Sequence, residues 1–347
     1  MTGGDGVAVD DRLLGWVRED FGVTLESVRR VGYGADETAE LWRAVDADGR
    51  VLAVKLSGGT PAGLVLSAYL AERGVPGIAA PLRTRDGDVC AVRDGRRLSV
   101  VPWVSDERAL GGGMEVAHWR AYGRVLAAVH ATVVTEELTR VLPAEDHTHR
   151  QVAARVRATD RAVAAVDDAT ADPFTREAAG RWRPVAGLLA GLLDRADALG
   201  AELRGRPVAH VVCHGDPHLG NVLLDVDGGV WLIDWDDAVL APRERDLMFV
   251  RGGVLAFAPV TPRQQAAFFE GYGPVEPDPV RLAYHLTVRA LDDIADWTRQ
   301  AMDTGHDDAD RVRALDIVRG LVTPVGLVSL ARDALVGIGH SPASAAG

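Results

Sequence analysis

The stretch "HGDPHLGNVLLDVDGGVWLIDWD", residues 214–236, decides how the rest of the chain is read. Asp216 and Asn221 stand five residues apart on one polar loop, and Asp234 lies thirteen residues beyond Asn221. Between them run two short apolar segments separated by "DVDGG", a turn signal. A tight hairpin folds the two polar loops against each other, so that two carboxylates and one amide converge on a point. Oxygen ligands of this kind suit Mg2+, a hard cation that takes few protein ligands and keeps its other positions for water and phosphate. A lone His-x-Asp is ordinarily a turn; the amide and the second carboxylate at this spacing make it a candidate site.

Upstream, "RVLAVKLSGG" (50–59) contains Lys55, the one lysine in a chain with 38 Lys plus Arg. A compact ammonium on a flexible stem is kept at this position, where arginine serves everywhere else. "ELWRAV" (40–45) and "RVLAVKL" (50–56) read as strands joined by the turn "DADG" (46–49). "DDRLLGWVREDFG" (10–22) and "PAGLVLSAYLAERGV" (61–75) read as helices, and "DVCAV" and "RLSVVPWV" (97–104) as a second hairpin. Residues 1–104 therefore predict a small antiparallel β lobe with one inserted helix. A polar, glycine-rich linker follows at about 105–113, then a mainly helical lobe over 114–338 and a flexible tail over 339–347. Helices are expected at 149–167, 175–204, 262–272, 278–303 and 307–335.

At 347 residues, with 47% hydrophobic and 25% charged residues, the composition is that of a globular protein with room for two lobes. A formal net charge of −12 without basic runs argues against nucleic acid and anionic membranes and suits a cationic ligand. Cys90 and Cys213 lack any paired or metal-binding spacing, which fits reduced thiols. The acidic N-terminal residues do not form a secretory leader, and no apolar run reaches membrane-spanning length, so a cytoplasmic location is expected.

The spacing of Asp216, Asn221 and Asp234 resembles that of the protein-kinase-like phosphotransferases, and "HGD" is the form seen in their aminoglycoside phosphotransferase and choline kinase branch. The resemblance implies an α+β bilobal fold with ATP and Mg2+ as cofactors. It makes Asp216 the base that accepts the substrate hydroxyl proton, and Asn221 and Asp234 the metal ligands. His214 braces the loop, and His218 either touches phosphate or packs the loop. Lys55 becomes the cation that reaches the α- and β-phosphates. Gly32 and Gly34, in "VGYGADETAELW" (31–42), fall where the phosphate-covering loop belongs. "VVPWVS" (100–105) becomes the hinge, with Val101, Trp103 and Val104 as nucleotide-binding residues: its backbone carbonyl and amide pair with the adenine edge, and Pro102 and Trp103 wall that pocket unless Trp103 is plain core packing. Kinases pair this lysine with a helix glutamate. The inserted helix offers only Glu72, so either Glu72 or another group orients Lys55. Asp236 and Asp237 read as a solvated turn or a helix cap rather than as ligands, and Asp246 as a structural acceptor for the catalytic loop.

A closer likeness runs from about residue 12 to residue 305. "GYGADETAELWRAV", "CHGDPHLGNVLL", "IDWDDAVLAPRERDLMF" and "RALDDIADW" look like the spectinomycin phosphotransferase group of the aminoglycoside phosphotransferases. This implies ATP-dependent phosphorylation of a ring hydroxyl on a cationic aminocyclitol, with resistance as the outcome and no obligatory protein partner. Another aminoglycoside, a choline-like alcohol or a sugar is the alternative acceptor. Asp292 and Asp296, four apart on a helix with Trp297 beside them, either line the substrate cleft or form a solvated acidic face.

Overall fold

The computed structural model describes residues 11–32, 39–251, 255 and 258–340. Helix α1 (Asp11–Phe21) repeats Leu13, Val17 and Phe21 at helical spacing, and all three are buried. Strands β1 (Leu25–Arg30), β2 (Glu40–Asp46) and β3 (Val51–Ser57) follow, then helix α2 (Ala62–Glu72) and strands β4 (Ala91–Arg93) and β5 (Arg96–Pro102). The five strands form one antiparallel sheet in the order β1-β2-β3-β5-β4. Along β3, Leu52, Val54 and Leu56 are buried in the core that α1 covers. The period of two leaves Ala53, Lys55 and Ser57 on the opposite face.

Beyond the sheet the chain is mainly helical. It runs through α3 (Val116–His130), α4 (Glu136–Val141), α5 (Arg150–Ala164), α6 (Pro173–Trp182) and α7 (Ala186–Arg204). Four short strands interrupt the helices: β6 (Val211–Cys213), β7 (Val222–Leu224), β8 (Val230–Leu232) and β9 (Val239–Ala241). Helices α8 (Glu244–Arg251), α9 (Pro262–Tyr272), α10 (Pro279–Met302), α11 (Asp308–Leu321) and α12 (Leu327–Gly337) complete the described chain. This is the α+β architecture that the sequence predicts, an antiparallel sheet with one inserted helix followed by helices. Among the described residues no helix is long and apolar enough to cross a membrane.

The last expected helix, 307–335, is two helices, because Pro324 removes a backbone donor in the loop that separates α11 from α12. Likewise 175–204 is α6, a 3-10 turn over Arg183–Val185 that contains Pro184, and α7. The short α4 has no counterpart in the sequence reading; Thr135 caps it by accepting from the Leu138 amide.

Two compact units make up the chain. The first comprises Met1–Pro143, His214–Leu240 and Ala267–Gly273, so it gathers the sheet and the 214–240 stretch. The second comprises Ala144–Cys213, Ala241–Ala266 and Pro274–Gly347. Its core is built on α10, against which α5, α6, α7, α8, α11 and α12 pack. Trp182, Leu192, Leu199, Tyr284, Leu291 and Ile294 are at most 1% exposed there.

Two histidines in the second unit set an expected pH dependence. His147 is buried beside Arg281, and burial together with that guanidinium and His210 pushes its pKa down to about 4. His285 is fully enclosed, its Nε2 has no hydrogen-bond partner, and burial with Arg245, His147 and Arg281 nearby lowers its pKa as well. Both imidazoles are neutral in the folded state at neutral pH. Below the ordinary histidine value of about 6.5 the unfolded chain takes up protons that the folded chain refuses, so stability falls with falling pH. The loss grows as pH falls below that value. For His147 it continues down to about pH 4, where the folded form also protonates. Urea midpoints at pH 7, 6 and 5 are expected to decline steadily; a constant midpoint across that range would refute the assignment.

Candidate active site

The hairpin expected between the two polar loops is present in the first unit. β7 and β8 pair antiparallel, with Val222 opposite Leu232 and Leu224 opposite Val230. The Ile233 amide donates to Asn221 O at 3.0 Å, so the strand ends that carry Asn221 and Asp234 lie side by side. The catalytic-loop candidate is tied down over most of its length. Asn221 Nδ2 donates to Asp216 O at 2.9 Å, which leaves Oδ1 as the acceptor atom of that amide. The His218 amide also donates to Asp216 O at 2.9 Å, and Tyr122 Oη donates to Pro217 O at 2.5 Å. His218 accepts from the Gly220 amide through Nδ1, while its Nε2 stands 3.5 Å from Asp216 Oδ2. His214 is wholly buried: Nε2 meets Ile233 O at 3.0 Å, Nδ1 accepts from the Asp216 amide at 3.3 Å, and the ring packs on Trp235. This one side chain therefore joins the two loops.

Gly215 explains why "HGD" has no side chain at its centre. Its φ is +88°, and a Cβ there would lie 2.0 Å from Asp237 O. The second loop thus presses directly on the first. Asp234 itself is left-handed, with φ 63° and ψ 67°, a region that Asp tolerates better than most residues. It starts the 3-10 turn Trp235–Asp237.

Lys55 meets this turn directly. Its Nζ is 2.9 Å from Asp234 Oδ1 and 2.9 Å from Asp236 Oδ2. Burial favours the neutral amine, but the two aspartates outweigh it and hold the ammonium pKa well above the usual lysine range. Burial raises the Asp236 pKa, while Lys55 and Arg97 lower it further, so the net shift is downward. Asp236 lies in this exposed turn, as the sequence suggests, but it is also an ion-pair partner of Lys55, which the sequence does not suggest. The reason is tertiary: β3 delivers the chain's one lysine to it. Glu72 does not pair with Lys55; it bonds Arg83 Nη2 at 2.6 Å. Sequence reasoning gave Arg97 no role, although an arginine two residues before Ser99 in an apolar strand was a detectable signal.

Elsewhere in the first unit the hinge candidates lie at the end of β5. Val101 pairs with Ala53, and the Trp103 amide donates to Val51 O at 2.9 Å. That amide is committed to the sheet, so the expected contact to an adenine edge falls to the neighbours of Trp103. Its indole donates to Asp106 at 2.9 Å. The next residues are anchored, with Ser105 Oγ donating to Leu224 O at 2.6 Å and the Leu224 amide to Glu107 O at 2.9 Å. Gly32 is exposed, whereas Gly34 and the rest of 33–38 lie outside the described residues. In the second unit Arg155 Nη1 approaches Asp292 at 3.0 Å and Asp296 at 3.1 Å, and Trp297 packs against the helical core.

Asp216, Asn221 and Asp234 supply carboxylate and amide oxygens only, a donor set that fits a hard divalent cation. A compact ammonium at such oxygens is the arrangement needed to bind a polyphosphate with its cation.

Comparison with known proteins agrees with that chemistry. The model of the phosphotransferase enzyme family (APH) matches residues 64–285. An uncharacterized protein of Synechocystis sp. is 28% identical over 191 residues, which span 53% of this chain and 47% of that protein. The chain thus aligns with about half the length of this curated relative. Among solved structures, spectinomycin phosphotransferase APH(9)-Ia in complex with ADP and spectinomycin superposes with a TM-score of 0.81 at 22% identity, covering 94% of this chain and 99% of that one. Amicoumacin kinase hAmiN, in complex with AMP-PNP, Ca2+ and Ami, gives a TM-score of 0.60 at 18% identity, covering 91% and 95%. At these identities the likeness is one of fold.

Proposed function

The chain belongs to the APH phosphotransferase enzyme family, and from that premise we propose that this small-molecule kinase phosphorylates a ring hydroxyl of an aminocyclitol antibiotic of the spectinomycin kind, using ATP. The observation that carries the reaction class is the meeting of Lys55 with Asp234 across 179 residues of sequence, beside the Asp216–Asn221 loop. The choice of substrate is supported by the extent of the fold match and by the net charge of −12, which favours a cationic ligand.

In this reading residues 1–104 hold the nucleotide and residues 114–338 carry the base and the acceptor. Lys55 binds the α- and β-phosphates, Gly32 and Gly34 are assigned to cover them, and the backbone of Val101 and Val104 holds the base with the Trp103 ring as a wall. Asn221 and Asp234 would hold Mg2+, which when bound neutralises the triphosphate. A carboxylate oxygen of Asp216 orients the substrate hydroxyl and accepts its proton as the hydroxyl oxygen bonds to the γ-phosphorus and ADP leaves. Most of the rate comes from alignment and fixed charge. Asp292 and Asp296, with Trp297 beside them, are the candidate residues for the substrate cation. The enzyme works in the cytoplasm and confers resistance.

The test is transfer of labelled phosphate from ATP to a panel of spectinomycin, kanamycin, hygromycin and choline. Transfer to spectinomycin above the others is the expected result. Transfer only to another acceptor would reject the aminocyclitol assignment while leaving the kinase class intact.

A further inference from the structure

Once Asp234 is engaged by a metal ion, Lys55 needs another carboxylate to hold its ammonium in place. The inserted helix cannot supply it. Glu72 is the last residue of α2 and pairs with Arg83. The opposite end of α2 is the one that touches the metal loop: a Cβ on Gly63 would lie 2.1 Å from Trp235 O. Nine residues of helix separate the two ends by about 13 Å, which keeps Glu72 from the loop.

Asp236 meets the requirement. One of its oxygens accepts from Lys55 at 2.9 Å, and the other accepts from Arg97 Nη2 at 3.0 Å. Arg97 is 8% exposed and held on several sides. Nη2 also donates to Ser57 Oγ at 3.1 Å, and Nη1 donates to Thr60 O in the loop leading to α2. The strand register places Arg97 opposite Ser57 and Ser99 opposite Lys55, so all four lie on one face of the sheet. An ion pair on a half-exposed carboxylate is weak and mobile by itself. A buried guanidinium whose Nε has no partner is a costly way to gain stability, because part of its charge goes uncompensated. The arrangement is better suited to fixing a geometry.

We propose that Arg97 is a positioning residue: it fixes Asp236, and Asp236 holds the Lys55 ammonium, doing the work that a helix glutamate does in protein kinases. The inference rests on the nucleotide-site reading above, but its first readout needs neither nucleotide nor turnover. Because the chain has one lysine, protein labelled with 15N at lysine Nζ gives one ammonium resonance. That resonance is expected to move in Arg97→Gln and in Asp236→Asn and to stay in place in Glu72→Gln. The dissociation constant of Mg·AMP-PNP, measured by calorimetry, is expected to rise about tenfold in each of the first two variants, the range for loss of a charge-assisted hydrogen bond. The double variant should bind no more weakly than the weaker single variant, because both act through one contact.

A Lys55 resonance unmoved by Arg97→Gln, moved by Glu72→Gln, or losses that multiply in the double variant would overturn the proposal. If Arg97→Gln fails to fold, Asp236→Asn decides alone, since its side chain is half exposed and an unmoved resonance there is sufficient refutation. If the variants show the expected resonance shifts but wild-type protein does not bind Mg·AMP-PNP, the nucleotide reading is refuted, and with it the positioning role, while the ion-pair geometry stands.

Discussion

Asp216→Ala protein is expected to bind Mg·ATP with near-normal affinity and to transfer phosphate at least about 10³-fold more slowly, the scale of a lost general base. The separation of the two effects follows from the hydrogen bonds. The loop is held by the main chain of Asp216, which accepts from Asn221 Nδ2 and the His218 amide, and by Tyr122 on Pro217 O. None of these bonds uses the Asp216 carboxylate. Its removal takes away the contact to His218 Nε2, 3.5 Å away, but keeps these main-chain bonds, so the loop with Asn221 is expected to stay in place. Asp216→Asn is the stricter version, since it keeps the shape and removes only the proton acceptor. Calorimetric binding of Mg·AMP-PNP beside single-turnover transfer checks both. Full activity in either variant would reject the mechanism, and loss of nucleotide binding would reject the claim that the loop is held independently of the carboxylate.

Lys55→Ala is expected to reduce kcat/KM for ATP by about 10²–10³-fold, the cost of removing one preorganised charge from a phosphoryl-transfer site. Lys55→Arg should restore little of it. The ammonium now sits within 2.9 Å of two different carboxylates, a position for a point charge, whereas a guanidinium is planar and needs a wider slot. The same geometry predicts the behaviour of an amine-selective acylating reagent. Lys55 is the one lysine side chain it can modify besides the terminal amine; reaction there is slow because the two aspartates keep the ammonium protonated, and activity falls in proportion to the modification. Unaltered activity after stoichiometric acylation of Lys55 would remove the lysine from the mechanism.

Several of these positions are visible in the sequence for definite reasons. The hairpin between Asn221 and Asp234 is legible because "DVDGG" is a local turn signal and β7 and β8 are apolar runs of matching length. The sheet is legible because alternation along β3 separates Leu52, Val54 and Leu56 from Lys55. Asp236 was not legible as a partner of Lys55, since a carboxylate in a polar turn looks the same whether it faces water or a lysine 181 residues away. Glu72 looked usable because the position of a helix in the chain does not say which of its ends touches the site. The glycine of "HGD" carried its explanation only in three dimensions, in the approach of Asp237 O.

What the amino-acid order determined by itself is whatever short-range physics encodes: the strand and helix periods, the turns, and the presence of one lysine among arginines. Only the tertiary structure decided which charges meet. Lys55, Arg97, Asp234 and Asp236 come together because β3, β5 and the turn after β8 are packed into one unit. Ion pairing at 3 Å depends on that packing, and sequence separation carries no information about it.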